Sequence, residues 1–210
     1  MNNNELDKKS LLETISGSPV TTIAATWLAA FTGTPVAALL PALTGTLANG
    51  RHSKRIEKSI RDISEDLERL KSDVQVMSDS QFKIVNEMIL TVFQTTEDAK
   101  IAYLRNVILN TISNDDQTPH EATLISRLLR DLSAQEIMFI RDNGEYERIS
   151  YGNNRPYDNR SLKVSPESTE GLVVNGLISL GLLIPSEPSG NENILLRFAP
   201  VIPKLILLLN

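Results

Sequence analysis

Between Glu13 and Arg51 the chain carries no charged side chain. So long an uncharged run must be hidden in a core, between copies, or in a bilayer, because nothing in it keeps an exposed surface solvated. Within it, Gly33, Thr34 and Pro35 separate Val20 to Phe31 from Val36 to Leu47. Each piece has about 12 residues and would reach roughly 18 Å as a helix, whereas a spanning helix needs about 20 apolar residues to cross about 30 Å of hydrocarbon. Alanines and the threonines Thr21, Thr22, Thr26, Thr32 and Thr34 weaken insertion further. The pattern predicts an apolar helical hairpin over residues 1–50, with small side chains that allow close helix approach.

Two uses of this hairpin stay open. It packs as a soluble hairpin or self-association face, or it enters a bilayer after a change of state. In both, Ile23, Trp27, Leu28, Phe31, Val36, Leu39, Leu40 and Leu43 supply the apolar surface. The preceding MNNNELDKKSLLET mixes acids with bases, unlike a secretory signal, so no cleavage is expected. After the run comes RHSKRIEKSIR, where Arg51, Lys54, Arg55, Lys58 and Arg61 are opposed only by Glu57. Basic residues flanking an apolar segment mark the cytoplasmic side of a membrane and suit anionic headgroups; on a soluble protein they form a solvated helix face. The expected location is cytoplasmic, with the inner membrane as a partner if the hairpin inserts.

From Arg51 to Asp79 the apolar residues Ile56, Ile60, Ile63, Leu67, Leu70, Val74 and Met77 alternate spacings of four and three. That is a heptad seam, with Ile60, Leu67 and Val74 at a and Ile56, Ile63, Leu70 and Met77 at d. Other positions are nearly all polar, as a partner-helix zipper requires. The side chains leave dimer, trimer and an antiparallel partner within the chain all open. At the flanking positions, Asp66 with Lys71 is an attractive pair, and Glu65, Asp66 and Glu68 read as solvated. Further helices follow, one carrying Phe82, Val85, Met88, Ile89, Val92 and Phe93 after Ser78, another carrying Ile101, Leu104, Ile108 and Ile112 after Thr96. In the second, Tyr103 reads as a packed aromatic and Arg105 as a surface charge. Residues 51–115 thus read as coiled coil and helical bundle.

Residues 116–210 read as a small separate domain. Two capping boxes, Thr118 with Glu121 and Ser133 with Glu136, predict helices over Pro119 to Asp131 and Ala134 to Asn143, the second stopped by Gly144 in a left-handed conformation. Glu145 to Lys163 reads as a polar loop in which Arg141, Arg148, Arg155, Arg160 and Lys163 interleave with Tyr146, Tyr151 and Tyr157. Arginine among tyrosines suits phosphate or nucleic-acid contact, but Asp142, Glu145, Glu147 and Asp158 nearly neutralise it. A helix is expected from Ser165, Pro166 and Glu167 to about Leu180, ended by Gly181, then a β-hairpin of Leu182 to Ile184 and Ile194 to Phe198. Helix, helix, helix, strand, turn, strand resembles a winged helix. The third helix would enter a major groove, yet it has no lysine or arginine and begins with Glu167 and Glu170, so a protein partner is favoured over nucleic acid. The closing PVIPKLILLLN is expected to pack on the bundle.

The fold class is therefore mainly α. With no cysteine and only His52 and His120 among 210 residues, disulfides and thiolate chemistry are excluded, and histidine-based metal or triad sites nearly so. No enzyme activity, cofactor or metal is expected, and His120 reads as an exposed helix-start residue. A net charge of −5 argues against a chain that coats nucleic acid.

The segments IAYLRNVILNTIS, LLRDLSAQEIMFIRDN and LISLGLLI, with the apolar N-terminal part and its basic flank, resemble small bacterial proteins of the abortive-infection alpha type. By pattern the resemblance covers about Lys100 to Leu209. It implies a bacterial cytoplasmic protein of phage defence that disables the infected cell, and it carries no catalytic motif. The residues and the resemblance together suggest a non-enzymatic, self-associating helical protein acting at the membrane. The alternative is a soluble oligomeric scaffold or regulator whose winged-helix-like domain binds a protein partner.

Overall fold

The structure is a computed structural model that describes residues 50–114, 116–153, 161–186 and 194–210, with backbone alone at 50–55 and 57. The hairpin expected over residues 1–50, with Ile23, Trp27, Leu28, Phe31, Val36, Leu39, Leu40 and Leu43, lies outside the described residues, as do Arg155 and Arg160. Arg51, Lys54 and Arg55 lie on a helical backbone.

The described chain is mainly helical with one small sheet. Helix α1 runs Gly50–Arg69, α2 Lys71–Gln75, α3 Asp79–Gln94 and α4 Asp98–Ser113. Helices α5, Pro119–Asp131, and α6, Ala134–Asn143, are followed by strands β1, Arg148–Tyr151, and β2, Ser161–Val164. Helix α7, Thr169–Ser179, then leads to β3, Leu183–Pro185, β4, Ile194–Phe198, and the final α8, Ile202–Leu209.

Local chemistry explains several boundaries. At the starts of α5 and α6, Thr118 and Ser133 accept hydrogen bonds from the backbone N–H of Glu121 and Glu136, whose carboxylates accept the reciprocal N–H bonds. Both predicted helices begin where the capping boxes place them. Ser78 and Gln81 form a third box at α3.

Four expectations are corrected. The heptad run does not form one unbroken helix: it stops at Arg69, passes through Leu70 and resumes as the short α2. Gly144 is right-handed, at φ −65, and the left-handed glycine is Gly181, at φ +70 after α7. Helix α7 begins at Thr169, because the Ser168 hydroxyl caps the N–H of Gly171 and the Ser165–Pro166 signal forms only the preceding turn. Lastly, the segment expected as a polar loop contributes β1 and β2. Sheet order is β2-β1-β4-β3, with β1 parallel to β2 and antiparallel to β4, so the β3–β4 hairpin is half of a mixed sheet. Ile149, Tyr151 and Val164 are buried; apolar contact there outweighs the polar sequence around them.

One hydrophobic cluster runs from Ile56 through the helices to Leu209 and includes Ile149, Val164 and Leu196 of the sheet. Helix α4 sits inside it, packed on α3, α1 and α8, while α3 also packs on α5. The closing helix packs on the bundle as expected, burying Ile202, Leu205, Leu208 and Leu209.

Candidate functional site

Helix α1 lies along α4, and its seam faces inward. Ile56, Ile60, Ile63, Leu67 and Val74 are buried, whereas Leu70 and Met77 are only partly covered. Of the partners left open by the seam, the one within the chain is occupied here.

Charges frame this contact. Asp66, two turns below Ile60, is 4% exposed although its neighbours Glu65 and Glu68 are exposed. Its carboxylate accepts from Arg105 Nε of α4 at 2.5 Å and also from Arg69. Arg105 reaches Asp62 as well, at 3.8 Å. Burial alone would raise the Asp66 pKa; the hydrogen bond and charge of Arg105, joined by Arg69, outweigh it and hold the carboxyl below its usual value. Asp66 is therefore not a solvated zipper residue, and Arg105 is not a plain surface charge. Nor does Asp66 pair with Lys71, which bonds Glu68 instead. What the sequence hid is the long separation: the partners are 39 residues apart.

Beside this pair the two helices leave a groove of about 570 Å³. Lys58, Asp62, Asp98, Arg105 and Asn106 supply polar walls, and Ile63, Ile101 and Leu109 an apolar floor. Lys58 is exposed at its edge. Among the described residues no group of three or more histidines and carboxylates is placed to hold a metal ion, and no helix is long and apolar enough to cross a membrane.

A second polar joint fixes the N-terminal end of α4. Lys100 is buried and donates to the backbone carbonyl of Arg130 at 2.7 Å, while the Glu97 carboxylate accepts from the N–H of Ala134 at 2.9 Å. Burial lowers the Lys100 pKa, and the charges of Glu97, Asp131 and Glu136 partly restore it. This joint clamps the α5–α6 corner onto α4.

The arginine–tyrosine segment does not form one patch in the described residues. Arg148 opens β1 half-buried, Arg141 lies 5.4 Å above the Tyr103 ring, and Tyr151 is buried, its hydroxyl donating to Asn175 Oδ1 at 3.0 Å. On α7, Glu170 is exposed in the first turn and Leu172 is 71% exposed. Gly176 of α7 faces the Glu136 carboxylate of α6, which a Cβ there would displace. His120 is exposed at the start of α5. Compared with known proteins, the chain matches no family model, no curated protein and no solved structure.

Proposed function

We propose that this chain is a non-enzymatic, self-associating helical protein that acts at a membrane, and that its setting is bacterial phage defence, as the sequence resemblance implies. One observation carries the reading: the charge-free run ends at Gly50, where α1 begins, so the uncharged segment is tethered directly to a seam able to zip to another helix. Lys58 and Arg61, exposed on α1, extend the basic flank next to that segment. Such a flank suits anionic headgroups and keeps the body of the protein on the cytoplasmic side.

Membrane potential in bacterial cells tests the reading. Cells expressing the full chain should depolarise, and cells expressing a chain lacking residues 20–47 should not. Equal potential in the two cultures contradicts it.

A second reading rests on α7. The region from Pro119 onward has the makings of a winged-helix-like module, and the helix that would read DNA has no cation and leaves Leu172 bare. A protein partner suits that face better than phosphate. A monodisperse oligomer without detergent, together with loss of partner capture on Leu172→Glu, supports this account of a soluble scaffold or regulator; depolarisation by the full chain counts against it.

A further inference from the structure

A heptad seam satisfies one partner at a time. In the closed chain Ile56, Ile60, Ile63 and Leu67 are buried against the chain's own bundle, and a zipper between copies needs those same side chains. We propose that the Asp66–Arg105 ion pair is a clasp holding α1 on α4, and that its release turns the seam outward to pair with a second copy of this chain. This rests on the self-associating reading above and names its regulation.

Two observations support the clasp and its occupant. First, the closed form does not use the whole seam. The heptad spacing runs unbroken from Ile56 to Met77, yet the helix breaks at Leu70, with φ −98 and ψ 21, and leaves Leu70 and Met77 half-buried. A continuous zipper to another copy would bury both. Second, the polar pair acts on one state only. The Asp66 side chain is 5% exposed when α1 is docked, and a buried carboxylate is tolerated only while paired and hydrogen-bonded. Once α1 leaves α4, Asp66 and Arg105 are both hydrated and neither needs the other. Arg69 lies on α1 itself and stays beside Asp66 in either state, so Arg105 is the partner that separates the two: removing its charge weakens the closed form and spares the open one.

Sedimentation velocity and limited trypsin digestion of the full chain test this. Arg105→Glu should raise the sedimenting mass above that of wild type at equal concentration, and cleavage after Lys58 and Arg61 should accelerate about tenfold, the effect of a shift of 1.4 kcal/mol. Adding Leu67→Asp should abolish the extra mass, because the seam is the interface. The swap Asp66→Arg with Arg105→Asp should recover part of the wild-type mass and protection, because Arg69 and Asp62 then face like charges. A helical Arg105→Glu chain with wild-type mass and cleavage overturns the clasp, and so does extra mass that survives Leu67→Asp. If Arg105→Glu does not fold, Arg105→Gln is read by the same criteria. Membrane potential plays no part here: a wild-type chain that never depolarises cells sinks the functional reading alone, while unchanged mass and cleavage in Arg105→Glu sink the clasp alone.

Discussion

Helices α1 and α8 both dock on α4, but by different chemistry. The C-terminal helix buries Leu205, Leu208 and Leu209 and has its last carbonyls met from α4: Asn110 Nδ2 donates to Leu208 O at 3.0 Å and Asn106 Nδ2 to Leu209 O at 3.3 Å. Lys204 adds a bond to Glu121 at 2.7 Å. These part-buried bonds add to the apolar burial that holds α8 on α4. Helix α1 instead presents a narrow seam, broken at Leu70, and a charged pair that water could satisfy equally well. A helix that completes a core and a helix parked on it differ in whether their contacts are unique to the closed fold.

Substitutions sharpen that difference, and the largest effect belongs to α8. Leu205→Ala with Leu208→Ala should cost about 2–5 kcal/mol per site, and the whole domain should melt at a lower denaturant midpoint in one transition. Ile63→Asp with Leu67→Asp removes burial of roughly 1.5–3 kcal/mol per site. Here hydrogen exchange should show α1 unprotected while α4 and α8 keep their protection; equal loss in all three would erase the contrast.

Asp66→Ala should cost about 1.5–3 kcal/mol, the range for a hydrogen bond to a charged group. Because the folded pKa of Asp66 is held low, its contribution is present above the ordinary carboxylate value and fades as pH falls through the lowered one. The melting temperature of the wild type should therefore drop more steeply on acidification than that of Asp66→Ala. Ser133→Ala removes a helix cap and should cost about 1 kcal/mol by chemical denaturation. Smallest of all is Glu121→Gln at the Lys204 contact. The Lys204 bond and those from Thr118 hold Glu121 down at about 2, so its contribution is present at neutral pH and is lost as pH falls from 4.5 to about 2: the variant should melt slightly lower than wild type at neutral pH, and the gap should close across that stretch.

The sequence reading succeeded where the signal is local. Threonine or serine, then glutamate three residues on, satisfies helix-start N–H groups within one turn, so α5 and α6 could be placed to the residue. Apolar spacing likewise marked Ile56, Ile60, Ile63 and Leu67 as a seam, since inward facing is a property of the helix alone. The identity of whatever covers the seam is a tertiary fact, and spacing carries no trace of it. Asp66 illustrates the limit: in sequence it is one acid among Glu65 and Glu68, and only the return of α4 brings Arg105 to it. Strands β1 and β2 were missed because each has four residues among polar neighbours; β1 finds its antiparallel partner in β4, more than forty residues further on, and β2 pairs only with β1. At α7 two serines competed as caps, and Ser168 won because its hydroxyl reaches the N–H of Gly171.

The central claim is that α1 lies on its own chain's α4 at rest, and the absence of cysteine makes a direct test clean. Spin labels on cysteines placed at Glu68 and Ala102, both exposed, report the α1–α4 separation by pulsed dipolar spectroscopy. Docking within the chain predicts one narrow distance in the doubly labelled protein, unchanged on dilution with unlabelled chains. A broad distribution in that sample, with a narrow distance appearing only between singly labelled chains, would contradict it.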